Sequence, residues 1–175
     1  MNYFSKKLIF ILAIFFTFHS NLNSDVPYFV DFKYILNESK AGKEAQTYLK
    51  KKLTNGIKQL KDKEKAIQKA EKKIIEQKNL LAAEEYKKKV TDLRNQVASL
   101  QKERNNLLES VAKQRTKAKS ELLKNLNPII QDYMKEKKIR MVIDKKGILL
   151  ADENLDLTEE IIELLNKKLK SIKLK

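Results

Sequence analysis

The chain of 175 residues has no cysteine and no tryptophan, a single histidine (His19), two prolines and three glycines. Each shortage excludes something. Without cysteine there is no disulfide, no thiol nucleophile and no thiolate ligand, so an exported chain of this kind must be held together by packing or by oligomerisation. One histidine cannot supply the usual zinc, copper or haem ligands, and it lies outside the expected mature chain. Aromatic residues are scarce where charge is densest: between Lys43 and Lys124 only Tyr48 and Tyr86 are aromatic. Stacking on nucleic-acid bases needs more than that, so nucleic acid is not the expected partner. Long apolar runs are missing too. Leu8–Phe18 (LIFILAIFFTF) is too short to span ~30 Å of hydrocarbon.

That run follows Lys6 and Lys7 and precedes the polar HSNLNS, the order of a secretory signal peptide. Residues 1–24 are therefore expected to be removed, although Leu22 is larger than a signal peptidase prefers before Ser24. An uncleaved anchor is the alternative. Cleavage would leave 151 of the 175 residues, without His19, and would lower the net charge from +15 to +13 by loss of Lys6 and Lys7.

What the chain does have is charge on a helical pattern. No proline occurs between Pro27 and Pro128. Within that stretch Leu53, Leu60, Ile67, Ile74 and Leu81 recur every seventh residue, but the second seam position reads Ile57, Glu64, Glu71, Lys78. Such a half-polar seam predicts a loose helix pair. Further on, Leu93, Leu100 and Leu107 form one row and Val90, Val97, Val111 and Ala118 another, interrupted by Arg104. Heptad phase puts the reversal near Gln77–Glu85, giving a hairpin of ~55–60 Å at 1.5 Å per residue. One continuous helix of ~130 Å is the alternative.

Short β-like segments flank the arm. Tyr28–Leu36 alternates as a strand does. Arg140–Asp144, a turn at Lys145-Lys146-Gly147 and Ile148–Ala151 read as a β-hairpin. Asn127-Pro128 predicts a kink or restart of the helix. Thr158 is the expected cap of a last helix with Ile161, Leu165, Leu169 and Ile172 as its buried stripe. The layout is thus a small α+β head, residues 25–42 and 125–175, with a helical arm, residues 43–124, that leaves it and returns. A head this small predicts an obligate oligomer, its core built from Phe29, Val30, Phe32, Val142, Ile143, Ile148, Leu149 and Leu150.

The arm carries 23 Lys and Arg against 11 Asp and Glu between Lys43 and Lys124. Exposed charges are the rule on a coiled-coil face, but the unbalanced sum makes a field that attracts anionic partners. The candidate contact residues lie near the expected tip: Leu80, Leu81, Tyr86, Lys87, Lys88 and Lys89. Nothing points to catalysis. Glu84-Glu85 and Asp152-Glu153 are expected on solvent-facing backbone, and Asp144–Gly147 lacks the glycines of a phosphate loop.

The flanks resemble a known family. Phe29–Leu49 (FVDFKYILNESKAGKEAQTYL) is similar to the opening strand and helix of the Skp (OmpH-like) periplasmic chaperones. NPII at Asn127–Ile130 and RMVIDKKGILLADENLDLTEEIIELLN at Arg140–Asn166 resemble that family's tail. The resemblance implies a homotrimer whose β-core carries three helical hairpins, an ATP-independent holdase that encloses unfolded outer-membrane proteins in the periplasm. It implies no cofactor. By charge, lipopolysaccharide or an anionic membrane surface is a further candidate partner, and the alternatives are a structural coiled-coil envelope protein or a basic surface protein binding lipopolysaccharide. Two departures stand out: the arms are richer in lysine than the family pattern leads one to expect, and Lys138-Ile139 replaces a glycine common before the second strand.

Overall fold

The computed structural model describes residues 26–174, so the expected signal peptide lies outside the described residues. The order is β1 (Tyr28–Val30), α1 (Phe32–Glu38), α2 (Lys40–Glu76), α3 (Ala83–Lys137), β2 (Val142–Asp144) and α4 (Thr158–Lys168), with single 3-10 turns at Lys145–Gly147 and Glu153–Leu155. The fold is mostly helical with a small β region.

The first strand is shorter than its alternation suggests. Asp31 ends it by accepting a hydrogen bond from the Tyr34 amide at 2.8 Å, which starts α1 at Phe32. Phe32–Leu36 is therefore helix, not strand. Ser39 then breaks α1 from α2. Its hydroxyl is buried and accepts from the Gly42 amide, and the Lys40 amide donates to Asn166 Oδ1 on α4 at 2.7 Å. Glycine is required at this corner: a Cβ on Gly42 would lie 2.0 Å from the Leu36 carbonyl oxygen.

At ~1.5 Å per residue the 37 residues of α2 extend about 55 Å. The chain reverses through residues 77–82, where the Gln77 carbonyl accepts from the amides of both Leu80 and Leu81. Glu84 and Glu85 open α3 at the positive end of its dipole. The helix then runs unbroken through Pro128, correcting the expected restart. Proline removes one ladder bond, but Leu126, Ile129 and Ile130 on either side are buried in the head and hold the helix in place.

A Schellman turn ends α3: the Ile139 amide donates to the Met134 carbonyl at 2.9 Å and the Lys138 amide to Lys135 at 3.3 Å. Lys138 sits at φ 56, ψ 33, the left-handed position that glycine occupies without steric cost. The missing glycine is thus replaced in place, with the turn geometry kept.

In the head, β1 and β2 pair in parallel, Tyr28 opposite Val142 and Val30 opposite Asp144. Asp156 bridges the other edge of β1 at Phe29, and the Leu157 amide donates to the Phe29 carbonyl. The expected β-hairpin is not formed. Asp144 caps a 3-10 turn through the Lys146 amide, and Ile148–Ala151 leaves it with no strand partner among the described residues. Val30, Ile35, Leu126, Ile161 and Leu165 form the centre of the core, where α1, α3 and α4 meet the sheet. Thr158 is not the cap of α4. Its hydroxyl accepts from the Asp31 amide at 2.9 Å and donates to Asp156, whose carboxylate takes the Thr158 amide. The last helix also stops at Lys168, before Leu169 and Ile172.

Candidate binding surfaces of the arm and head

The arm closes on one apolar row. Leu60 is buried; Leu53, Ile67, Ile74, Leu93, Leu100 and Leu107 are half-buried, while Ile57 and Val97 are half exposed. Gly56 lets Leu107 approach, since a Cβ there would lie 2.5 Å from a Leu107 methyl. The interrupted second row has its own logic. Glu64, a polar seam residue of α2, faces Arg104, the residue that breaks the α3 row, at 3.8 Å. Beside them Lys63 pairs with Glu103 at 2.5 Å. All four side chains are roughly half exposed, where an ion pair contributes only about 0.2–1 kcal/mol. Polar ties fix the pairing of the helices here without gluing them. Nearer the head, Lys52 Nζ donates to Ser110 Oγ at 2.8 Å and to Gln114 Oε1 at 3.0 Å.

The tip residues divide. Leu80 is 84% exposed, so its side chain is largely presented to solvent. Leu81 and Tyr86 are half-buried. Lys87 and Lys88 are exposed; Lys89 is half-buried and lies 3.6 Å from Glu85. Leu80 with Lys87 and Lys88 remains as an outward-facing group. Elsewhere on the arm, Lys113 holds the Glu109 carboxyl below its usual range through a hydrogen bond, and at the arm root Glu38 raises the Lys43 ammonium in the same way.

The residues expected to form an oligomer core also divide. Phe29 and Val30 are buried within the single chain. Phe32, Val142 and Ile148 are half-buried. Ile143 is exposed, and Leu149 and Leu150 are 95% and 90% exposed on the unpaired segment that follows β2. Met141 lies exposed at the start of the same strand. Beneath this face Lys145 hydrogen-bonds Asp156 at 2.9 Å and stands 5.5 Å over the Phe29 ring. Asp156 raises the Lys145 ammonium. Partial burial pushes the Asp156 carboxyl up, but hydrogen bonds from Thr158 and Lys145 outweigh it and hold the group below its ordinary value.

Among the described residues no group of three or more carboxylates or histidines is placed to hold a metal, and no helix is long and apolar enough to cross a membrane. The surfaces offered are a basic arm, an apolar tip residue and an apolar strip on the head.

A family profile described as outer membrane protein (OmpH-like) matches residues 28–165. The chain belongs to the OmpH-like family. Its fold is also that of a crystal structure from Caulobacter crescentus CB15, described as an OmpH-like outer membrane chaperone. The TM-score is 0.78 at 19% identity, over 85% of this chain and 89% of the other. No curated protein matches this sequence. The OmpH-like match ends within α4, and residues 166–174 follow it. That segment was not legible as a contact from sequence. Leu174 is buried against Ala45, Leu49 and Ala118 at the arm root, and nothing in its spacing from α4 reveals this.

Proposed function

We propose that this OmpH-like chain is an ATP-independent periplasmic holdase: a homotrimer whose three basic arms enclose a cavity that keeps unfolded outer-membrane proteins apart. The description of its structural neighbour as an outer membrane chaperone supports the chaperone role. The observation that carries the assembly is the segment Ile148–Ala151. It is apolar, has no strand partner among the described residues, and follows β2, whose outer edge carries no strand among those residues. An apolar extended segment beside an available sheet edge is a template for strand addition from a neighbour. Copies joined in a ring would set the arms around a common space. Binding then rests on many weak contacts at high effective concentration, with arm charge raising the capture rate.

Solution mass of the processed chain, alone and with a denatured β-barrel protein, tests this. Three chains alone and three chains with one client are expected. Leu149→Asp with Leu150→Asp should yield a smaller species that no longer suppresses client aggregation. A trimer that survives this double substitution refutes the assembly role of the segment. The unbalanced arm charge also favours a second reading, capture of lipopolysaccharide. That binding would fall steeply with salt and would need no unfolded client.

A further inference from the structure

Beyond Lys168 the chain does not trail away. Leu169 turns into extended backbone at φ −128, ψ 106, and residues 170–174 run without regular structure to the root of the arm. Ile172 packs against both the head core and the root cluster. Leu174, only 4% exposed, fills a groove between α2 and α3 floored by the small residues Ala45 and Ala118 and walled by Leu49, with Val111 packed against the cluster. Gln114 Nε2 donates to the Leu174 carbonyl at 2.6 Å, and its Oε1 takes the Lys52 hydrogen bond from α2. One irregular segment thus touches both arm helices where they leave the head.

The segment itself reads Ser171-Ile172-Lys173-Leu174, apolar and polar in alternation. That is the pattern of a β-strand with one apolar face, and β-barrel membrane proteins are made of such strands. We propose that residues 169–174 are a self-ligand, occupying an arm-root groove whose other occupant is an alternating apolar segment of an unfolded client. This rests on the holdase reading above. While the tail is seated it shuts the groove and clips the two helices together. A client segment displaces it, which opens the groove and frees the arm to splay. The observed affinity for client is then reduced by the fraction of chains whose groove is closed.

Leu174→Asp in the full-length processed protein tests the idea, with Gln114→Ala as a milder variant that removes the polar tie without adding charge to the groove. Amide exchange at Ala45–Lys52 and Val111–Ala118 should speed up, and an unfolded β-barrel protein should bind about fivefold tighter. A synthetic peptide of the sequence LKSIKL should bind the variant, leave the wild type unaffected, and reverse the gain. Unchanged or weaker client affinity once root exchange has risen would overturn the proposal, as would a peptide that fails to bind. If the wild type binds no client at all, the holdase reading falls, and the peptide and exchange results still decide the tail's role.

Discussion

The polar middle of the arm seam makes a quantitative prediction. Glu64 and Arg104 face each other at 3.8 Å with side chains 48% and 47% exposed. Replacing both with leucine removes a pair contributing about 0.2–1 kcal/mol. Two apolar side chains take its place in the seam. Full burial of leucine is favourable by about 1.5–3 kcal/mol, so half-burial gives about 1 kcal/mol each. The net gain is about 1–2 kcal/mol of arm stability. Changing both matters, because Glu64→Leu alone strands Arg104 against an apolar neighbour. Native-state amide exchange in the middle of α2 and α3 should slow by about tenfold. If loose arms let the cavity fit clients of different size, the stiffened variant should hold short unfolded β-barrel proteins as before and lose the longest. Slower exchange with an unchanged range of client lengths would refute the link between seam polarity and adaptability.

Three further outcomes follow from the head. Gly42→Ala places a methyl against the Leu36 carbonyl, which cannot move without shifting the α1–α2 corner. The clash should outweigh the ~1 kcal/mol of helix propensity gained, lowering the melting temperature by several degrees at fixed protein concentration. Lys138→Gly relieves the left-handed lysine and should stabilise by about 0.5–1 kcal/mol, read as a rise of roughly 2–4 °C. Asp156 is held below its ordinary carboxyl value when folded, so the stability it supplies is present above about pH 4 and is lost as pH falls through the lowered value. Thermal melts between pH 5 and pH 3 should therefore fall more steeply for the wild type than for Asp156→Asn.

Much of this architecture was legible in the sequence because its signals are periodic. The sevenfold rows of Leu60 and Leu100 require only that two helices meet. Local overrides were harder to read. Phe32–Leu36 alternates like a strand, but one hydrogen bond from the Tyr34 amide to Asp31 commits it to helix. Pro128 looked like a break because its cost is local, while the burial of Ile129 and Ile130 that retains the helix is tertiary. Glu64 and Arg104 were each visible as interruptions; that they interrupt the same place is a fact about register, which neither helix encodes alone. Ile148–Ala151 has the composition of a strand and finds no strand partner among the described residues. The tip residues Leu80 and Leu81 are adjacent and equally apolar, yet only the turn geometry decides which one faces outward.

The placement of β1 sets a timetable. Phe29 lies between Ile143 and Asp156, so the opening strand finds its neighbours only when the last quarter of the polypeptide is present. The arm closes on nearer sequence neighbours and can zip as soon as its returning half emerges. During N-to-C delivery there is thus an interval in which a basic hairpin exists without a finished base. A cage of the kind proposed above would be sealed late, only after each subunit has been delivered to its final helix.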